Sequence, residues 1–180
     1  MLSFVPVRVG KDQERLACLA SQVWHEYWPA LIGDEQTDYM VELFLSPDAI
    51  RRDMAENGYE YWFLVAGDTE LPADEAAKRE WGHIVGFTGG HVEPETNRFF
   101  ISKIYLLADA RGHHFASRVT DFYEALCRAR GLRAMYLTVN KHNELGVRAY
   151  EGNGFLTINK VETDIGHGFV MDDFVMERPV

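Results

Sequence analysis

Arg111-Gly112-His113-His114-Phe115-Ala116-Ser117 stands between an apolar stretch, Lys103 to Leu107, and an amphipathic run that continues to Arg130. A turn between a strand and a helix leaves free backbone N–H groups at the positive end of the helix dipole. A phosphate or pyrophosphate can bind there, provided the residues are small enough for its oxygens to approach. Arg111 adds a fixed positive charge at the edge of the turn. A plain surface loop carrying an arginine accounts for the same residues equally well. Downstream, Met135 to Val139 and then Asn143 to Tyr150 form a second strand and helix, closed by Gly152-Asn153-Gly154-Phe155. That helix can present one phenol, Tyr150, either as a proton donor or as a packing residue.

Other reactive side chains carry less. Cys127 lies on a helix body with no histidine at near spacing, so a buried structural thiol is favoured over a nucleophile. Cys18 also falls in a helical pattern and is expected to be buried. Two cysteines do not make a disulfide framework or a zinc site. His113 and His114 are adjacent and point in different directions at a helix start, with no third ligand spaced to help, so no metal is expected.

The elements that position these residues follow from periodicity and turn chemistry. Ser3 to Val9 is short and β-branched, a first strand. Asp12 can cap the helix that follows, in which Leu16, Leu19, Ala20, Val23 and Tyr27 share a stripe. Pro29 ends it. Gln36 to Leu45 is helical, and Ser46-Pro47 starts a short helix that Asn57-Gly58 stops. Tyr59 to Ala66 is a strand, and Gly67 to Glu80 is a surface loop with a helical turn at Ala73 to Lys78. Trp81 to Val92 is a strand whose Gly86, Gly89 and Gly90 suggest a bulge or a close approach by a ligand or another backbone. Glu93 to Asn97 turns the chain into the strand Arg98 to Leu107. The next helix places Phe115, Val119, Phe122 and Leu126 on one face and ends at Gly131. Asn143 caps the helix after Met135 to Val139. Phe155 to Asp164 and Phe169 to Met176 pair around Ile165-Gly166-His167-Gly168. One strand-helix-strand crossover inside an antiparallel meander makes the fold α+β, with a mixed central sheet and one parallel pair.

The chain has 180 residues, a length that suits a single domain over 1–180, and a formal charge of −10 at pH 7. An acidic surface disfavours nucleic-acid backbones and anionic membranes. No apolar run reaches the length of a membrane span, and Arg8 comes too early for a signal peptide, so a cytoplasmic protein is expected.

Taken together, the central motifs resemble the GNAT superfamily of acyl-CoA-dependent N-acetyltransferases. The pyrophosphate loop of that family, Gln/Arg-x-x-Gly-x-Gly/Ala, falls on Arg111 to Ala116. The family's Asn, the Tyr seven residues on and the Gly-Phe fall on Asn143, Tyr150 and Gly154-Phe155. The resemblance implies acetyl-CoA as co-substrate, helices on both faces of the sheet, and a parallel pair that splays near Leu107 and Val139 to admit it. It implies that Ile104, Tyr105 and Leu106 present backbone groups to the pantetheine and thioester. It also implies that Arg111, Gly112, His113, His114, Phe115, Ala116 and Ser117 cradle the pyrophosphate. Asn143 would bond the pantetheine and Tyr150 would protonate the departing thiolate. Two positions depart from the family: His114 stands where glycine is preferred, crowding the phosphate or hydrogen-bonding to it, and Gly146 stands where Ala is usual. Phe100 occupies the place of a carboxylate base found in some members. That leaves Glu93, His91, Glu35 or water for the role.

Trp24-His25-Glu26-Tyr27-Trp28, Thr37-Asp38-Tyr39-Met40 and the tail Gly168 to Met176 resemble the PaiA type of the family, which acetylates spermidine and spermine. A small-molecule amine is the implied partner, alongside a homodimer. Trp28 and Glu35 are the candidate acceptor contacts, through a cation–π face and a carboxylate. Glu26, Asp38, Asp172 and Asp173 are further carboxylates of the same kind, and an ordinary solvated helix face explains any one of them. A non-catalytic acyl-CoA-binding module with a damaged loop at His114 is the alternative.

Overall fold

The structure is a computed structural model that describes residues 1–180. Its elements are β1 (Ser3–Pro6), α1 (Lys11–Tyr27), α2 (Pro29–Ile32), α3 (Asp34–Leu45), α4 (Pro47–Glu56), β2 (Glu60–Val65), α5 (Ala73–Ala76), β3 (Ile84–Glu93) and β4 (Arg98–Leu106). A 3₁₀ turn (Ala108–Ala110) precedes α6 (Phe115–Arg130), β5 (Ala134–Asn140), α7 (Glu144–Gly152), β6 (Leu156–Gly166) and β7 (Phe169–Pro179). The strands form one seven-stranded sheet in the order β1-β2-β3-β4-β5-β7-β6. β4 and β5 run parallel, whereas β1/β2, β5/β7 and β6/β7 are antiparallel. This is the α+β arrangement with one parallel pair expected from the element order. The chain divides into two compact units, residues 1–89 with 103–118, and residues 90–102 with 119–180.

In the first unit, β1 is shorter than its β-branched sequence suggests and leaves the ladder after Pro6. Asp12 does not cap α1. The cap is Gly10, whose N–H is taken at 3.0 Å by the Gln13 side chain, while Asp12 accepts from the Arg8 N–H at 3.0 Å. Gln13, 3% exposed, can reach back because it lies one turn in, and glycine at the cap leaves the entry unobstructed. Leu16, Leu19, Ala20 and Val23 are buried as their spacing requires. Cys18, expected inside, is exposed, because it falls off that stripe. Ser46 caps α4 by accepting the Ala49 N–H at 3.3 Å, with Pro47 at the first helical position.

The glycines of β3 are close approaches by neighbouring backbone and ring. A Cβ on Gly86 would sit 2.1 Å from the Tyr105 carbonyl oxygen, and one on Gly89 would sit 2.4 Å from the Tyr61 ring. In the second unit a Cβ on Gly90 would sit 2.0 Å from the Phe100 carbonyl oxygen.

The second unit is built on β5, which pairs along its length with β7 from Ala134↔Pro179 to Asn140↔Asp173. Its parallel pairing with β4 covers Arg98–Phe100 against Ala134–Tyr136, and Ile101 and Ser102 lie beyond that register. The buried side of α6 is Val119, Thr120, Tyr123 and Cys127, following Phe115. Phe122 and Leu126, expected on that face, are half-buried instead, because steps of four from Phe115 carry the stripe through Tyr123, which packs on Phe99 with ring centroids 5.1 Å apart.

Candidate active site

The turn at Arg111–Ser117 lies in the first unit. Gly112 has φ +84° and His114 has φ +57°, so two positions of the turn, separated by His113, adopt the left-handed conformation. Alternation of this kind turns successive N–H groups toward one point, an anion-binding concavity. The position where glycine was expected therefore keeps the backbone shape that glycine supplies. Histidine is among the non-glycine residues that enter this region most readily. His113 and His114 are exposed, Ala116 and Ser117 half-buried, and Phe115, 3% exposed, anchors the start of α6.

Arg111 does not reach out over the turn. Its Nε donates to the Leu106 carbonyl at 3.3 Å, and its guanidinium lies 5.0 Å over the Tyr27 ring. It ties the end of β4 to the end of α1. Glu26 strengthens the same junction by accepting the Ala108 N–H at 3.1 Å. Tyr105 meets Trp24 with centroids 5.6 Å apart and Phe87 at 5.4 Å. Tyr105 is thus held on the α1 side by aromatic packing, and the Leu107 N–H donates to the Val85 carbonyl at 3.0 Å.

Two ion pairs bracket the turn, and both come from the Gly67–Glu80 loop. Arg79 donates through Nε and Nη2 to Asp109 at 2.7 and 2.8 Å, and Arg118 donates to Glu70 at 2.9 Å. Arg79 also holds the Ile84 carbonyl at 3.1 Å. The paired guanidinium keeps the Asp109 carboxyl below its ordinary range. A cavity of about 250 Å³ opens between this loop and the turn.

Of the acceptor candidates, Trp28 packs in a T-shape on Tyr27 at 5.5 Å and tilted on Trp24 at 5.2 Å, and its indole N–H is buried without a partner. Glu35 is exposed in the first turn of α3. Asp38 is taken by His25 at 2.8 Å, and the second ring nitrogen of His25 meets the Ser21 carbonyl at 2.6 Å. The Asp38 hydrogen bond, followed by that of the Ser21 carbonyl, raises the His25 pKa. Both ring nitrogens thus face oxygen acceptors.

Lys103 was passed over as an ordinary strand residue. It is 7% exposed on β4, with Nζ 4.8 Å over the Tyr59 ring and 5.4 Å over Tyr61. Tyr61 in turn donates to Asp53 at 3.1 Å. Burial pushes the Lys103 ammonium down to about 8. A polar residue in the alternating apolar pattern of β4 was the sequence signal available.

Asn143 and Tyr150 lie in the second unit. Asn143 caps α7, its Oδ1 accepting the Gly146 N–H at 3.0 Å. Gly146 gives that cap room, since a Cβ there would stand 2.7 Å from Asn143 Nδ2 and the Asn143 side chain would have to shift. Tyr150 follows two turns later on the same helical face and is half-buried. Its ring stands edge-on to Phe155 at 5.8 Å. The base candidates of this unit fare poorly. Burial draws the Glu93 carboxyl upward, but hydrogen bonds from Tyr136 and Thr96 and the Arg98 charge outweigh it and hold the group below its usual range. His91 packs edge-on to Phe100 at 5.6 Å.

A model of the acetyltransferase (GNAT) family matches residues 20–155. Among solved structures, PaiA N-acetyltransferase from Thermoplasma acidophilum in complex with coenzyme A is 17% identical, with a TM-score of 0.73 over 100% of this chain and 99% of that one. A GCN5-related N-acetyltransferase from Rhodopseudomonas palustris is 14% identical, with a TM-score of 0.71 over 100% and 95%. The spermidine N-acetyltransferase from Vibrio cholerae in complex with CoA and spermine is 16% identical, with a TM-score of 0.65 over 99% and 95%. At these identities the likeness is one of fold. A curated relative, oxidation resistance protein 1 of Rattus norvegicus, is 34% identical over 96 residues, and the match spans 43% of this chain and 11% of that protein.

Proposed function

The chain belongs to the acetyltransferase (GNAT) family, and from that premise we propose that it transfers an acetyl group from acetyl-CoA to a primary amine by direct attack on the thioester. The observation that carries this reading is the turn at Arg111–Ser117. It lies in the register of the family's pyrophosphate loop and keeps left-handed backbone at Gly112 and His114. The family match runs from one compact unit into the other, which supports a single catalytic domain over 1–180.

In this mechanism the N–H groups of the turn and the dipole of α6 hold the pyrophosphate. Backbone groups of Ile104 to Leu106 align the thioester, and a strand N–H stabilises the oxyanion as the amine attacks. Holding both reactants in line supplies much of the acceleration. The amine must arrive neutral although its ordinary pKa is about 10. Water is the proton acceptor that fits, since the donors around Glu93 lower its affinity for a proton and His91 is packed on Phe100. Tyr150, on the family's position, gives its proton to the leaving thiolate. The non-catalytic alternative rests on a loop spoiled at His114, and the left-handed φ of that residue favours an intact turn over it.

Polyamines are the acceptors we place first. Spermine is bound to the Vibrio cholerae relative, and Trp28 with Glu35 offers an aromatic face and an exposed carboxylate suited to ammonium groups. Two free thiols fit a reducing cytoplasm. Turnover of acetyl-CoA against amines, polyamines and peptides tests the reading.

A further inference from the structure

Asp173 is a buried carboxyl group that the chemistry above does not use. It stands on β7, 8% exposed, beside Asn140 of β5 and Val161 of β6. The next residue, Asp172, is more open and pairs with Lys141. No hydrogen bond or ion pair engages the Asp173 carboxyl. A carboxyl group withdrawn from water without a donor costs stability, and a catalytic role is one of the reasons such a group is kept. The register says which way it points. β7 pairs with β5 without a bulge, and successive residues of a strand face opposite sides of the sheet. Phe174 lines a recess with Val147 and Arg148 of α7, so α7 lies on the Phe174 side and Asp173 faces the other. Tyr150 is carried by α7. Both groups belong to one end of β5. Asn140, its last residue, is the partner of Asp173, and the chain runs on from there through Asn143 into α7. That end, at Val139, is where the resemblance to the family implies an opening for acetyl-CoA.

Direct transfer needs one group to take a proton from the incoming nitrogen and another to give one to the departing sulfur. We infer that Asp173 takes the proton that the attacking amine must lose, across an intervening water, from the side of the sheet opposite to Tyr150. The inference rests on the acetyl-transfer reading. The alkylammonium gives one proton through water to the Asp173 carboxylate. The neutral nitrogen bonds to the thioester carbon, the carbon–sulfur bond breaks, and its electron pair leaves with sulfur, which takes the Tyr150 proton. The extra proton of the new amide nitrogen returns to the tyrosinate, and Asp173 releases its own to solvent. One ammonium and one thioester thus give one amide, one thiol and one proton. The surroundings of Asp173 suit the task. Burial raises its pKa to about 6, the Asp172 charge adds to that and Lys141 opposes it, while Asn140 and Val161 are uncharged. The group is therefore ionised at neutral pH and a stronger base than an ordinary carboxylate.

The pH profile of acetyl transfer to the amine that wild type turns over fastest tests the inference. In wild type, kcat/KM is expected to fall more steeply below about pH 6, as Asp173 takes up a proton. Asp173→Asn is expected to lose that step and about 100-fold in kcat/KM at neutral pH, with the deficit narrowing toward about pH 10, where the amine arrives already neutral. CoA affinity is expected to be kept, and Asp173→Glu is expected to recover part of the rate. Asparagine removes a buried charge at nearly constant volume, so the variant should melt no lower than wild type at neutral pH. Full activity in Asp173→Asn, or a deficit that is the same at every pH, overturns the inference while acetyl transfer stands. A wild-type profile without the acid-side step overturns it without recourse to any variant. If wild type acetylates no amine, the acetyl-transfer reading falls and the inference falls with it.

Discussion

Arg79 and Asp109, thirty residues apart in sequence, share two N–H···O bonds at 2.7 and 2.8 Å, and the same guanidinium holds the Ile84 carbonyl at 3.1 Å. This one side chain fixes a polar loop, the start of β3 and the 3₁₀ turn that leads into Arg111. The bidentate geometry makes the pair more than a surface contact, since Arg79 is only 13% exposed.

Arg79→Met is expected to cost about 2–3 kcal/mol, because the Gly82 and Ile84 carbonyl oxygens and the Asp109 carboxylate lose charged donors at once. Asp109→Asn is expected to cost less, because the carbonyl bonds remain. Asp109 is held below its ordinary pKa in the folded chain, first by the Arg79 hydrogen bonds. Its contribution is therefore present above the unfolded carboxylate pKa and is lost as pH falls through the folded value. Thermal melts from neutral to acid pH should show this loss in wild type and a smaller one in Asp109→Asn.

His114→Gly relieves a side chain held at φ +57°. The relief of left-handed strain, about 1–2 kcal/mol, is partly offset by the greater freedom of glycine in the unfolded chain, about 0.5–1 kcal/mol. Stability should stay level or rise, and CoA affinity should be kept or tightened. His114→Val should lose both, because a β-branched residue fits this region worst. A large loss of CoA affinity in His114→Gly would instead mean that the imidazole contacts the phosphates.

Gly146→Ala separates binding from folding. Alanine in place of a helical glycine ordinarily gains about 1 kcal/mol. Here its Cβ would stand 2.7 Å from Asn143 Nδ2 and push the cap aside, which costs about the same. Net stability should move by less than about 1 kcal/mol. CoA affinity should fall, because Asn143 is displaced from the orientation its cap enforces. Equal affinity in a stably folded variant would remove Asn143 from the pantetheine role.

Lys103 sets a pH dependence at the alkaline end. Burial brings its ammonium down to about 8 from an ordinary 10.5, so between those values the unfolded chain binds more protons and stability rises with pH. At neutral pH both states are charged and the desolvation cost is fully present, offset in part by the Tyr59 and Tyr61 rings. Lys103→Met should therefore be roughly 1–3 kcal/mol more stable at pH 7. It should also lack the wild-type rise in melting temperature between pH 8 and pH 10.

Local chemistry made much of this legible in the sequence. Ser46-Pro47 and Asn143 cap helices where they were expected to, because a cap is decided within four residues. Of the two readings of the strand glycines, bulge or close approach, Gly86 and Gly90 show close approach by backbone, and the element order was enough for the mixed sheet. Asp12 failed as a cap because Gln13, one residue further on, reaches the Gly10 N–H instead. The features that shape the turn from outside were not legible. Arg79 to Asp109, Glu70 to Arg118 and Lys103 on Tyr59 join residues tens of positions apart, and no spacing rule links them. Arg111 illustrates the same limit, since its charge was foreseen and its tether to Tyr27 was not.

The central claim is that this chain moves an acetyl group from acetyl-CoA to an amine, with Tyr150 giving the proton to the thiolate. Thiol release from acetyl-CoA, with and without a panel of amines that includes spermidine and spermine, tests it most directly, read beside mass detection of the acetylated amine. The account predicts amine-dependent release matched mole for mole by acetylated product, and a lowered kcat with unchanged CoA affinity in Tyr150→Phe. CoA binding with no amine-dependent release for any acceptor would contradict the claim of catalysis, and full turnover in Tyr150→Phe would contradict the assigned acid.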